Sequence, residues 1–449
     1  MLTLDENEIL TRVGPGTLMG NLLRRFWVPA YLSLEVPEPD SPPVRVKILG
    51  EDLVGFRDSA GETGLFVQAC PHRGASLFFG RNEEAGLRCV YHGWKFEVSG
   101  VCVDMPSEPV ESNFKSKVRV RAYPTHEWNG FVWAYMGPPE KMYPFRELGP
   151  ALPREQWPTA RTLTECNWVQ AIEGNLDTAH ISYLHRNLDE LAMEPDETDR
   201  PGVPSDKMST FIRGYDRRPS VELEETWYGF RYAGLRKTPS GNVHVRMTEY
   251  ILPWTTRVSN LPLSNGFSFA SMVPRDDYTC WRGVVGGARR NPRSQVGPIA
   301  YRASVDPDAP GAVPAPVPEV PAMGIAPRPQ NWDNDFLLDR EMQRNFNYTG
   351  IVGTGQQDMA VTESMGPIYD RSHEHLGTSD RAIIRLRRQL IDAAKDLANG
   401  IEPLTADTSQ PFEKILSAER IISPSEDWRL LGTEQDPLVR GMEMPIPIT

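Results

Sequence analysis

The sequence predicts an α+β chain: a small all-β domain, followed by a larger domain whose antiparallel sheet is covered by helices. Three observations predict it. Short apolar runs such as VRVKILG, DLVGFRD and GFVWAYMG, separated by Gly, Asp and Pro, fill the stretch from about 27 to 139. Longer alternating runs, SVELEETWYGFRYAGL, VHVRMTEYIL and GFSFASMV, fill 219–290 and fit an antiparallel sheet. Amphipathic stretches flank that sheet on both sides in the sequence.

In chain order, residues 1–26 read as a short helical lead-in that packs on the larger domain. Residues 27–139 form the β domain, and 140–449 the larger α+β domain. Within the latter, CNWVQAIEGNLDTAHISYLHRNL at 166–188 reads as a helix. The segment 305–330 is strongly Pro-rich, cannot be helix or central strand, and is expected to run extended over the surface. DRAIIRLRRQLIDAAKDLANG at 380–400 reads as a helix with Arg and Lys interleaved among apolar positions.

Composition narrows the function. Of 449 residues, 39% are hydrophobic and 24% charged, with a formal net charge of −12 and no basic block, which argues against a nucleic-acid binder. No run of eighteen apolar residues suggests a membrane span. The start, MLTLDENEILTRVGPG, lacks the apolar core of a signal peptide, so a cytoplasmic location is expected. Five cysteines suit a reducing compartment; Cys102, Cys166 and Cys280 read as small buried hydrophobes.

Two patterns carry chemistry. In the first, Cys70-Pro71-His72 is followed after sixteen residues by Cys89-Val90-Tyr91-His92. Two thiolates and two imidazoles suit either zinc or a 2Fe–2S cluster in which the cysteines hold one iron and the histidines the other. The single spacer in Cys70-Pro71-His72 is tight for one tetrahedral ion and natural when the two side chains go to different irons. Gly93 permits close backbone approach.

In the second, Asp177-Thr178-Ala179-His180 is followed by His185. Two histidines and one carboxylate on one face of an iron leave positions free for dioxygen. Asp177 and His180, three apart, share a helix face. His180 and His185 are five apart, roughly 140° around a regular helix, so both reach one ion only if the helix bulges or ends between them. An irregularity or termination is expected near Ser182–Leu184. Composition alone does not choose the third ligand among Asp333, Asp335, Asp339, Asp358 and Glu363.

The stretch CPHRGASLFFGRNEEAGLRCVYHGWKFEVSG, with ENEILTRVGPGTLMG and QQDMAVTESMGPIYDRSHEHLGTSD at 356–380, resembles the Rieske non-heme iron aromatic-ring-hydroxylating oxygenases, phthalate 4,5-dioxygenase group. The resemblance spans nearly the whole chain. It implies an N-terminal Rieske domain at 27–139 and a helix-grip (START-like) catalytic domain at 140–449. It implies that Cys70, His72, Cys89 and His92 hold the cluster and that His180, His185 and Asp358 hold the mononuclear Fe(II). Asp177 would then bridge His180 to His92 of a neighbouring copy, giving the electron a short polar route.

The implied function is that of a terminal oxygenase that uses O2 to hydroxylate an aromatic carboxylate by cis-dihydroxylation. O-demethylation or aryl-ether cleavage is the alternative from the same iron chemistry, and a plain electron-transfer iron–sulfur protein the alternative of another class. No dinucleotide fingerprint is visible: Gly353-Thr354-Gly355-Gln356 lacks the third glycine. Electrons are therefore expected from a separate NAD(P)H-dependent flavin and iron–sulfur reductase. The implied assembly is a homotrimer, alone or stacked as a hexamer. Arg213 and Arg246 are candidate clamps for a substrate carboxylate, with Ser182 close to the iron ligands. His373 and His375 read as packing or hydrogen-bonding residues.

Overall fold

The computed structural model describes residues 1–145, 161–188, 206–259, 269–285 and 328–440, together with positions 147, 151, 153, 154 and 157. The Pro-rich segment expected to run over the surface lies outside the described residues up to 327. No described helix is long and apolar enough to cross a membrane.

Three small antiparallel sheets form the N-terminal part. Trp27–Leu32, Phe131–Tyr135 and Thr125–Trp128 make one; Val44–Ile48, Glu51–Arg57, Thr63–Val67 and Ala122–Tyr123 make another. The third is built from two- and three-residue strands, Arg81–Asn82, Leu87–Arg88, Lys95–Phe96 and Cys102–Asp104. Such short strands hold by packing, not by ladder length. Val54, Phe56, Phe66, Leu77, Leu87, Trp94 and Phe96 bury their side chains there with Cys70, Cys89 and Cys102.

The C-terminal part is an eight-stranded antiparallel sheet. Its path runs Thr162–Thr164, Cys280–Val285, Phe269–Pro274, Thr255–Val258, Val243–Ile251, Gly229–Lys237 and Ser220–Thr226, and Glu419–Ile422 pairs with the first half of Val243–Ile251. Helices Trp168–Leu176, Thr354–Ser364 and Arg381–Ala398 pack around it. The last presents Ala382, Ile383, Leu386, Leu390, Ile391, Ala394 and Leu397 inward, an i, i+3, i+4 stripe.

The lead-in forms two helices. Thr3 and Glu6 make a reciprocal capping box at 3.1 Å each way for Leu4–Thr11, and Thr17 caps Leu18–Leu23. Both pack against Arg381–Ala398, and their Leu10, Met19, Leu22 and Leu23, with Val13 between the helices, share one core with Val28, Ile48 and Leu53 and with Trp168, Ile172 and Tyr250. The N-terminal and C-terminal parts therefore have a continuous apolar interior.

The helix Trp168–Leu176 is set at both ends by polar groups. Asn167 accepts from Val169 N at 3.1 Å and donates to Thr11 O at 3.0 Å and Asp277 O at 2.7 Å, so the cap also ties down the lead-in. Tyr232 donates its hydroxyl to Leu176 O at the other end. Midway, Glu173 receives Arg371 at 3.0 Å and Arg387 at 2.6 Å inside the protein.

Burial pushes the Glu173 pKa up, but Arg371 and Arg387 outweigh it and hold the carboxylate below its ordinary range. Glu173→Gln leaves two buried guanidiniums without that countercharge and costs about 3 kcal/mol. At roughly 2 °C per kcal/mol the melting temperature falls by about 6 °C. Because the folded pKa is depressed, the contribution is present above the ordinary value of 4.5 and is lost as pH falls through the folded value. The gap in melting temperature between wild type and variant should accordingly narrow on acidification; a gap that widens contradicts this account.

Candidate metal centres

The two Cys–His loops have one backbone geometry. Cys70 C=O accepts from Gly74 N at 2.9 Å, and Cys89 C=O accepts from Gly93 N at 2.9 Å. Both glycines have left-handed φ, +76° and +79°. A Cβ on Gly93 would also lie 2.6 Å from Pro106 Cγ. Each loop thus curls its cysteine and histidine toward the other loop. The thiols of Cys70 and Cys89 are buried in contact, and the His72 and His92 rings lie 4.5 Å apart at 67°. Trp94 stacks on His72 at 4.2 Å and 12°.

Two features of this cradle fit a cationic inorganic group. Burial, with the adjacent Cys89, pushes the Cys70 thiol up to about 11, a bias that a cation between the sulfurs reverses. His72 Nδ1 is buried with no hydrogen-bond partner. The cradle sits near the surface: Val90 and Tyr91, which flank His92, are more than half exposed.

The second centre differs from the sequence expectation in its local structure. The helix ends at Leu176, not near Ser182–Leu184, and Asp177 takes an extended backbone (φ −70°, ψ 128°). Asp177 and His180 therefore do not share a helix face. Instead Asp177 caps the next turn, accepting from Ala179 N at 2.6 Å and His180 N at 3.3 Å, and His180–Ser182 is a single 3-10 turn. The reason is local: the Asp177 carboxylate takes the N–H groups of the following turn in place of the helical carbonyls, and Thr178 then packs where Gly234 has no side chain.

After this break His180 and His185 face each other, with Nε2 atoms 3.1 Å apart. Asp358, on helix Thr354–Ser364, places Oδ1 3.0 Å from His185 Nε2 and 3.8 Å from His180 Nε2. Donor atoms of the three residues lie within 4.8 Å of one another, the spacing a single ion needs. The hydrogen-bond partners of the two rings suit that use. His180 Nδ1 lies 3.4 Å from Asp177 Oδ2, and His185 Nδ1 lies 2.7 Å from Gln357 Oε1. Gln357 Nε2 donates to Ile351 O at 2.8 Å, which turns its carbonyl oxygen to His185. Each Nδ1 thus faces an oxygen on its outer side, which turns both Nε2 atoms inward toward Asp358. Asp358 is held down to about 2: burial opposes ionisation, but His185 and Arg282 outweigh it.

Family profiles cover most of the chain. One for the Rieske [2Fe-2S] domain matches residues 26–124, and one described as LigXa C-terminal domain like matches 134–287 and 326–444. The phthalate 4,5-dioxygenase oxygenase subunit of Pseudomonas putida is 39% identical over 442 residues, 96% of this chain and 94% of that one. This chain is the alpha subunit of a Rieske non-heme iron oxygenase.

Further relatives agree. The 3-chlorobenzoate-3,4-dioxygenase oxygenase subunit of Comamonas testosteroni is 34% identical (95% of this chain, 97% of that one). The 5,5'-dehydrodivanillate O-demethylase oxygenase subunit of a Sphingobium species is 31% identical (90% and 83%). Among solved structures, NdmA of Pseudomonas putida CBB5 with caffeine shares the fold at a TM-score of 0.53 and 18% identity, over 91% of this chain and 99% of that one. The cofactors of this oxygenase are a Rieske 2Fe–2S cluster and a mononuclear iron.

The remaining sequence candidates fall in two groups. Ser182 is fully buried beside the second centre. Arg246 lies 3.6 Å from Glu419, and Arg213, on helix Asp206–Tyr215, donates to Ser209 O and Thr210 Oγ1 at 3.1 Å. Of the rival acids, Glu363 binds Arg328 and Asp339 caps a helix. His373 does not pack: its side chain is 83% exposed, near Asp370. Cys102, Cys166 and Cys280 are free and buried.

Three residues escaped sequence reasoning. Gln357 orients His185, Arg282 Nη2 binds Asp358 Oδ2 at 2.9 Å, and buried Arg236 donates to Thr178 O at 2.7 Å and reaches Ser182 Oγ at 3.4 Å. Gln357 adjoins Asp358 in sequence, a usable hint; the two arginines carried no local signal.

Gln357→Leu removes the acceptor that orients the His185 ring. Mononuclear iron affinity should fall about 10–100-fold, read by metal analysis after dialysis against a chelator, while the visible spectrum of the cluster is unchanged. Full iron retention would show that His185 needs no such acceptor.

Proposed function

We propose that this oxygenase hydroxylates an aromatic carboxylate of the phthalate type, adding both atoms of O2 to adjacent ring carbons, and that His180, His185 and Asp358 hold its mononuclear iron. Cys70, His72, Cys89 and His92 hold the cluster. When bound, the cluster supplies single electrons and the iron supplies open positions at which O2 is activated.

The observation that carries the substrate class is Arg236. It is 1% exposed, its Nε and Nη1 have no hydrogen-bond partner among the described residues, and its pKa is pushed down to about 10 by burial and then by Arg246 and Arg213. A buried guanidinium with free N–H groups costs several kcal/mol unless an anion meets it. Arg236 is anchored on Thr178, between Asp177 and His180, so an anion it receives lies beside the iron ligands. Glu419 does not serve that need. It is held by His244 at 3.2 Å, by Ser209 and by Arg246, which outweigh burial and keep it ionised with a pKa of about 2.

In this reading Arg213, Arg236 and Arg246 form a positive wall against which a ring carboxylate rests. Ser182 Oγ adds a hydrogen bond, and the ring is thereby presented edge-on to the iron. The named activities of the phthalate and chlorobenzoate relatives are in keeping with such an anion site. The O-demethylase relative supports a second reading, in which the same wall holds a methoxybenzoate and the methoxy carbon is oxidised.

Asp177 is 28% exposed while it binds His180, and His92 is partly exposed on the cluster tip. These two edges suit a head-to-tail homotrimer, alone or stacked in pairs, in which Asp177 contacts His92 of the next copy. A reductase carrying flavin and an iron–sulfur cluster, fed by NADH or NADPH, supplies the electrons.

With a competent reductase, phthalate and related benzoates should support coupled O2 uptake, and the product diol is read by mass spectrometry. Arg236→Met should raise KM for carboxylates about 10–100-fold, as expected for loss of a charged hydrogen bond worth ~1.5–3 kcal/mol, and leave neutral analogues unaffected. Equal losses for neutral and anionic compounds would remove the anion wall from the account.

A further inference from the structure

The Asp358 carboxylate has two oxygens with different surroundings. Oδ1 points between the two imidazoles, 3.0 Å and 3.8 Å from their Nε2 atoms. Oδ2 receives Arg282 Nη2 at 2.9 Å, a charge-assisted hydrogen bond. The bond crosses between elements. Asp358 rides on helix Thr354–Ser364, and Arg282 lies in the middle of Cys280–Val285, opposite Thr162 on one side and Met272 on the other. A strand paired on both edges cannot follow a rotating carboxylate. Asp358 is the ion-pair partner of Arg282 among the described residues, and both side chains are at most one-fifth exposed. Turning Oδ2 toward the imidazoles would strand a largely buried guanidinium.

We propose that Arg282 is a positioning residue that restricts Asp358 to one metal-binding oxygen. The inference rests on the assignment of His180, His185 and Asp358 as the ligands of the mononuclear ion. With Oδ2 occupied, the protein supplies three donor atoms instead of four, and one more position stays available for small molecules. A carboxylate left free of Arg282 has no such restraint and can use both oxygens.

The test uses the full chain with its cluster in place and cobalt(II) substituted at the mononuclear site. Crystal structures then locate the metal by its anomalous signal. Cobalt K-edge X-ray absorption, which the iron of the cluster does not obscure, follows coordination number in solution, and far-ultraviolet circular dichroism checks folding. One bonded Asp358 oxygen is expected in the wild type and in Arg282→Lys, which keeps a donor for Oδ2. Two are expected in Arg282→Met, with a weaker cobalt pre-edge feature. Should Arg282→Met not fold, Arg282→Leu, which also lacks a donor, takes its place, with two bonded oxygens expected and one overturning the role of Arg282. Cobalt bound by His180 and His185 with both Asp358 oxygens in the wild type overturns the role of Arg282 alone, as does one oxygen in a folded Arg282→Met protein. Cobalt bound elsewhere overturns the ligand assignment, and this inference with it.

Discussion

Convergence of three donor atoms within 4.8 Å is the constraint on which the catalytic half depends. His180 and His185 cannot meet on a regular helix, so the helix must end first. It does so at Leu176, where Gly234 lets Thr178 press against the sheet and Tyr232 takes the last carbonyl. Asp177 then caps a 3-10 turn and holds the His180 ring with the same carboxylate. One acid thus shapes the backbone and orients a ring. Gln357 orients the other from the adjacent helix. The network of Glu173 with Arg371 and Arg387 braces the helix that carries this arrangement.

The cluster half solves a different problem. Its loops hold two sulfurs inside a small aromatic core, while the histidine edge stays near solvent. Burial disfavours the charged form of the sulfurs and raises their need for a cation, and the imidazole edge is the part of the cradle open to solvent.

Much of the architecture was legible because its signals are local. Cys70-Pro71-His72 and Cys89 to His92 are short loops whose glycines and spacing dictate a shared cradle, and alternation along 219–290 reads directly as strands. Strand and helix periodicities needed no tertiary information. The end of the helix at Leu176 was only weakly legible: Asp177 is a capping residue type, but the seat for Thr178 at Gly234 lies far along the chain. Arg236 and Arg282 were hidden for the same reason. Each is an ordinary arginine in an alternating strand until the fold brings it to Thr178 or to Asp358. The third ligand was similar; several acids were equal on composition, and resemblance alone pointed to Asp358 before the helix Thr354–Ser364 was seen beside the histidines.

The claim that organises all of this is that one chain carries two separate iron centres, a cluster on the Cys–His loops and a single ion at His180, His185 and Asp358. Mössbauer spectroscopy of iron-57-loaded protein counts them directly. The account predicts three irons per chain in the wild type, two in cluster signals and one in a high-spin ferrous signal, and loss of the ferrous signal alone in His180→Ala. Catalytically competent protein that shows only the cluster pair, or a His180→Ala variant that keeps the ferrous signal, would contradict it.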